Sequence, residues 1–385
     1  MAFSKIASGG VDGGVGDSLR PDAKPLIING SMDISQRYGT TATTIGSEAY
    51  SLDRWSFREI SNGSTTVQQT TTVPSGKGFA NSLKVAVTGA DTSIVGDNIV
   101  AIAQKLEGQD AQLLKFGTSD AQKVTISFWV RSNVTGTYSA TLRHTNTSGT
   151  AYVNSLTFSI SSGDTWEQKV LVFNANTSQD IRNTNTEGIR LEIILTAGSD
   201  YTSGGGANAN TWTTGNTNRA SASNVNILSS TSNTFYLTGF QMEVGEFTSS
   251  TLPDFQHESF GDNLSRCQRY YNIFGNTTQA PMGMAAFYSD ASAYVGPLVY
   301  PVEMRSSPSI TITGGSGNAY ETAGFALNHS ASNDWFQTFA SSATSTKELQ
   351  LYAGSGVSAT DGDAGRCKIG DSEANKGKIE ASAEL

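Results

Sequence analysis

The run VTISFWVR, residues 124–131, decides what kind of chain this is. Val124, Ile126, Phe128 and Val130 alternate with Thr125, Ser127, Trp129 and Arg131, the period-two pattern of a strand with one face in a core and the other toward water. Trp129 therefore stands opposite the apolar face. The run 136–144 is its expected partner, reached through the short link 132–135. The same alternation, punctuated by Gly, Asn, Ser and Pro, predicts strands at 65–73, 81–87, 99–106, 156–160, 166–173, 188–195 and 235–244. LIINGSMDISQRYG (26–39) reads as a strand, an Asn29-Gly30 turn and a second short strand. SLDRWSFREI (51–60) reads as a strand whose Leu52, Trp55 and Phe57 reach a core. Residues 198–224 differ: they are polar, with only Tyr201 and Trp212 as large apolar anchors, and are expected to form a long loop or a self-packing surface insertion.

Many short strands at this spacing imply an all-β chain built on a β-sandwich of the jelly-roll type. After FYLTGFQMEVGEF (235–247) comes a turn-rich connection with Pro253 and Gly261, and a helix-like run at 264–271. Further strands are predicted at 282–288, 295–301, 309–313, 323–327, 335–339 and 349–352, with KIEASAEL (378–385) closing a second, smaller β domain. The expected bounds are an arm at 1–24, the jelly roll at 25–262 and the second domain at 263–385.

Composition agrees. A chain of 385 residues with 40 glycines and only 15% charged residues suits short strands joined by turns, in two domains. A net charge of −9 without a run of Lys or Arg argues against a nucleic-acid partner. Two cysteines, Cys267 and Cys367, make no disulfide framework, although one bridge between them stays open. Three scattered histidines suggest no metal site, and no cofactor is implied. No secretory signal is visible and no apolar run approaches the roughly 20 residues that span a bilayer, so a soluble chain without membrane insertion is expected. The arm, with Gly9, Gly10, Gly13, Gly14 and Gly16, has little to bury by itself and needs an external surface, such as a neighbouring subunit, to fix it.

Five motifs then occur in order: LIINGSMDISQR, YSLDRWSF, VTISFWVRSNVTGTYSATLRH, FYLTGFQMEVGEF and FQHESFGDNLSRCQRYY. Together they resemble the jelly-roll domain of tail-fibre and other virion proteins of marine bacteriophages, over about residues 26–272. LVYPVEMRSSPSITITG (298–314) and the closing Glu384-Leu385 are similar to the small β domain that often follows. The resemblance implies a virion structural protein with a carbohydrate-binding-like sandwich, assembled in the host cytoplasm, homotrimeric by analogy and contacting other phage structural proteins. Fibres of this family usually carry a longer attachment region than 25 residues, so the appendage stays open: a short fibre, a decoration protein, or a subunit clamped through its arm.

The principal expectation is thus a non-enzymatic tail-fibre or decoration protein docking through residues 1–24. The alternative is an adhesin for a host-surface polysaccharide or receptor, and a depolymerase comes last. Trp129 and Trp212, with Tyr201, are the candidate ligand-binding residues, because exposed aromatics beside Asn and Asp suit sugar rings; Trp55, Trp166, Trp335 and Tyr294 are weaker candidates. Against each stands simple packing. Asp53 and Arg54 read as a structural charge pair at a sheet edge. Glu167, Glu192, Glu243 and Glu246 show no glycosidase motif. Asp361 and Asp363, with Asp371, lie in a Gly-rich stretch that carboxylate spacing makes a weak Ca²⁺ candidate, without the Glu that closes a twelve-residue calcium loop.

Overall fold

A computed structural model describes residues 25–275, 281–287, 292–329, 332–370, 372 and 374–385. The glycine-rich arm and Asp371 lie outside the described residues. The chain divides into two compact units, one ending at Ser259 and one spanning Phe260–Leu385, against an expected boundary between 262 and 263.

The first unit holds twelve strands: β1 (Ala49–Tyr50), β2 (Ser56–Ile60), β3 (Ser64–Thr70), β4 (Ser82–Gly89), β5 (Ile99–Glu107), β6 (Val124–Ser132), β7 (Gly136–Thr145), β8 (Ala151–Ile160), β9 (Glu167–Phe173), β10 (Glu187–Ala197), β11 (Thr213–Thr214) and β12 (Thr234–Val244). They form two antiparallel sheets, ordered β1-β2-β5-β10-β7-β8-β11 and β3-β4-β12-β6-β9. This is a jelly-roll β-sandwich. The inward residues of β6 meet those of the opposite sheet in one core: Phe128 stacks on Phe240 at 5.1 Å and edges onto Phe158 at the same distance. Each such ring, fully buried, contributes about 2–3 kcal/mol of transfer free energy.

Three expectations change. The run 136–144 is not the hairpin partner of β6: β6 pairs with β12 and β9, whereas β7 pairs with β8 and β10 in the other sheet. The link at 132–135 crosses the sandwich instead. Tyr138 donates its hydroxyl to the Val134 carbonyl at 2.7 Å and Asn133 accepts from the Thr234 amide, which closes an arch rather than a two-strand turn. Residues 26–39 form turns, not paired strands, because Asn29 and Met32 take left-handed φ of 58° and 62°. Asn29 holds that fold through its side chain on Ile34, and its carbonyl accepts the Trp55 indole N–H at 2.9 Å. In 51–60 only Ser56–Ile60 is strand; Arg54 turns the chain at φ 70°.

One glycine determines which side chains of β12 face out. Between Thr238 and Gln241 the register against β6 slips by a bulge, and Gly239 takes φ 58°, where a Cβ would lie 2.4 Å from the Phe79 ring. The bulge lets Phe235, Leu237, Phe240 and Met242 all point inward although their spacing breaks strict alternation.

The second unit opens with a helix, Phe260–Gln268, four residues earlier than the run expected at 264–271. Its sheets are ordered Tyr271–Phe274, Lys378–Ser382, Ser309–Thr313, and Ser332–Phe336, Phe325–His329, Ala364–Ile369, Pro281–Phe287, Ala293–Val299, Glu348–Ala353, Ala340–Thr344. KIEAS supplies the central strand of the smaller sheet. Cys267 and Cys367 are both buried, and no disulfide joins them. No helix among the described residues is long and apolar enough to cross a membrane.

Candidate functional site

The solvent face of the five-stranded sheet concentrates aromatic and basic side chains, and cross-strand register puts them there. Gln68 of β3 pairs with Lys84 of β4, Lys84 with Tyr236 of β12, and Tyr236 with Arg131 of β6. These four form one row across four strands. Trp166, immediately before β9, meets Tyr236 edge-on at 6.1 Å. In the adjacent row Thr238 pairs with Trp129, and Trp129 with Gln168. Trp129, Trp166 and Tyr236 are each half-buried while their inward neighbours Phe128, Val130, Phe235 and Leu237 are fully buried.

Cations lie over these rings. The Lys77 ammonium sits 5.2 Å from the Trp129 centroid and that of Lys84 5.8 Å from Tyr236; the Arg131 guanidinium lies 5.3 Å from Tyr236. Each such contact is worth about 0.5–1 kcal/mol at an exposed position. Arg131 also reaches Asp164 at 3.2 Å on the rim. Neither Lys77 nor Lys84 is ion-paired among the described residues. Sequence reasoning found Trp129 on this face by alternation. It missed Tyr236, Lys77, Lys84 and Arg131 as a group, although the phase of FYLTGF places Tyr236 opposite Phe235 and Leu237.

The other two candidates lie elsewhere, one buried and one at the border of a recess. Tyr201 is 6% exposed in a small cluster with Ile99, Ala101, Ile194 and Ala220, under the guanidiniums of Arg58 and Arg219. Residues 198–226 pack on themselves, with the Gly204 amide on the Thr217 carbonyl and the Ala220 amide on the Tyr201 carbonyl, and also bond to the outer face of the seven-stranded sheet through Thr141 and Ser155, so the tyrosine is sealed from solvent. Their clamp is a buried ion pair, Arg219 to Glu192, with contacts of 2.5 and 3.1 Å and both side chains 1% exposed. Burial works to raise the Glu192 carboxyl, but Arg219, Arg143 and Arg190 together outweigh it and hold the group below the usual carboxylate range. A carboxylate so locked is unsuited to general-acid work.

Trp212 was expected to be exposed but is half-buried. Its indole N–H donates to the Asn174 carbonyl at 2.8 Å and its ring edges onto Phe116 and His144. It borders a recess of about 390 Å³ with Tyr152, Asn174, Asn176, Gln179 and Asn210. The amides there are largely committed to structure: Asn210 accepts from Asn154 and Asn174 and donates to the Val172 carbonyl. Asn176 accepts from the Ser178 and Gln179 amides, which turns its NH₂ toward His144 Nε2 at 2.9 Å. Nε2 must then accept, so His144 is neutral with its proton on Nδ1. Burial pushes its pKa down to about 4, against the opposing pull of Asp180.

Elsewhere, Trp55 is fully buried, and Asp53 accepts from Gln36 at 2.6 and 2.7 Å, so Asp53 and Arg54 belong to the interior rather than to a sheet edge. Glu167 pairs with Lys169 and Glu246 with Lys123, both at 2.6 Å. In the second unit Tyr294 meets Tyr352, and Trp335 lies against Tyr320. Asp363 accepts from the Thr360 amide in a solvated turn, and no group of three or more metal-ligating side chains occurs among the described residues. Folding does bring Ser358, His329 and Asp334 together, a trio invisible in the sequence. Asp334 accepts the Ser358 hydroxyl directly at 2.7 Å, and both bind the same His329 nitrogen, Nε2. In a proton relay, serine and acid occupy opposite ring nitrogens, so this trio is a structural knot.

No protein-family model and no curated protein sequence matches this chain. Solved structures with similar folds include the enzymatically active domain of bacteriophage CBA120 tailspike protein 4, at 14% identity and TM-score 0.32, spanning 57% of this chain and 21% of that one. The family 11 carbohydrate-binding module of Lic26A-Cel5E from Clostridium thermocellum matches at 11% identity and TM-score 0.27, over 55% of this chain and 99% of the module. The CBM22-1 xylan-binding domain of Paenibacillus barcinonensis Xyn10C matches at 12% identity and TM-score 0.28, over 55% and 99%. At such values these likenesses carry no argument about ligand or activity.

Proposed function

We propose that the first unit binds a surface glycan, without catalysis, through the outer face of its five-stranded sheet. The observation that carries this reading is the register-built group of Trp129, Tyr236 and Trp166 on the exposed part of the sheet face, where half-exposed rings offer apolar surfaces to sugars and Gln68 and Gln168 offer hydrogen-bonding partners. The reading moves the ligand site away from Trp212 and Tyr201, whose rings serve packing. The test is retention of the full chain on immobilised bacterial-surface polysaccharides, compared with Trp129→Ala and Tyr236→Ala. Loss of retention in both variants with an unchanged melting temperature supports the site; retention equal to the parent chain sinks it.

The virion setting rests on the five ordered motifs. In that setting the chain is an appendage or decoration subunit, multimeric and docked through residues 1–24, with the glycan face turned to the host. Deleting residues 1–24 should then abolish incorporation into particles while leaving glycan retention intact; normal incorporation overturns the docking role.

A further inference from the structure

Resting on that reading and sharpening it, we infer that the glycan recognised at this face is anionic, a uronate or similarly charged polysaccharide lying across the strands along the row Lys84, Tyr236, Arg131. The protein as a whole carries −9, yet this face gathers Lys77, Lys84 and Arg131 around two rings. Lys77 and Lys84 have no carboxylate partner among the described residues. A neutral glycan would use the rings and leave the two ammonium groups with their ring contacts alone. A charged one uses both, because a carboxylate on the sugar meets the cation beside the ring on which the sugar's apolar face rests.

The spacing fits. Neighbouring strands lie about 4.8 Å apart, so Lys84 and Arg131, separated by the strand that carries Tyr236, stand about 10 Å apart, close to the disaccharide repeat of an extended polymer. Lys84 and Arg131 thus flank Tyr236 one strand away on either side, and both charged ends lie within 5.8 Å of its ring centre. A single-stranded nucleic acid also pairs stacking with positive charge, but it calls for a continuous basic track along its closely spaced phosphates. Here the cations number three, with Asp164 on the rim.

The experiment measures binding of the full chain to polygalacturonate and alginate, to neutral dextran and xylan, and to poly(dT), from 50 to 500 mM NaCl. The expected result is preference for the acidic polysaccharides, weakened about tenfold by salt, and weakened about tenfold again by the combined change Lys77→Gln, Lys84→Gln, Arg131→Gln. The three changes are on a solvent face, and an unchanged thermal melt certifies the variant as folded. Equal binding to neutral and acidic polysaccharides, insensitive to salt and to these changes but lost in Trp129→Ala, overturns the anionic assignment and leaves glycan binding standing. Preference for poly(dT), or binding to none of the polysaccharides, overturns both.

Discussion

The two outer faces of the sandwich begin from the same sequence grammar and end differently. On the seven-stranded sheet, residues 198–226 lie over the face, and every residue of Ile99–Glu107 is buried. On the five-stranded sheet residues 245–253 lie over one end, where Thr125 and Gln241 are buried beneath them, whereas Lys84, Trp129, Arg131 and Tyr236 at the other end stay half-exposed. Charges follow suit. Arg219 and Glu192, cut off from water, form a close two-contact pair, because an unpartnered ion there would cost several kcal/mol. Lys77 and Lys84, still in water, stand unpaired at little cost and stay available. Covered charge is architecture; open charge is free to recognise something.

The comparison breaks most sharply at the covered face. Arg219→Ala leaves Glu192 buried without its closest partner, and the first unit should lose about 3–5 kcal/mol in urea unfolding; a loss under about 1 kcal/mol would show that the loop is not clamped there. Acid should act on the same side through His144, which packs on Trp212 of the covering segment. Its folded pKa of about 4 lies below the ordinary 6.5, so the fold favours the neutral ring. The resulting stability is complete above pH 6.5 and is lost as pH falls toward 4, about 3 kcal/mol in all. Urea midpoints from pH 7 to pH 4 should show the decline, and His144→Gln should flatten that part of it.

At the open face the same measurements should barely move. Trp129→Ala and Tyr236→Ala are expected to change stability by about 1 kcal/mol or less while removing glycan retention; destabilisation as large as that of Arg219→Ala would make the aromatics packing residues. The smallest effect belongs to Asp164→Asn. Its exposed contact with Arg131 is worth about 0.5 kcal/mol or less, so stability holds, but freeing the guanidinium should raise affinity for polygalacturonate a few-fold. A fall in affinity would place Asp164 among the ligand's hydrogen-bonding partners instead.

Alternation in residues 124–131 and 235–244 was enough to identify strands, because a pleated strand half in water must place its apolar residues every second position. It also put Trp129 on the solvent side. What it could not supply was pairing. The link at 132–135 has the length of a hairpin loop, yet it arches between sheets, since the inward faces of β6 and β7 both belong to one core and bury more by facing each other than by lying side by side. Exposure was equally illegible for Trp212 and Tyr201. A polar neighbourhood in the chain suggests solvent, but the segment folds back over a sheet, and its few large apolar residues are what anchor it there.

The sequence by itself determined that this chain is all-β, where most strands lie, and which residues share a face in a regular strand such as 124–131, because those follow from local periodicity and turn chemistry. Only the tertiary structure decided which strands are neighbours, which parts of each sheet face are covered and which stay open, and hence that Lys77, Lys84, Arg131, Trp129 and Tyr236 form one surface. They are drawn from residues up to 159 positions apart, and nothing local encodes a meeting that the packing of two sheets and one covering loop imposes.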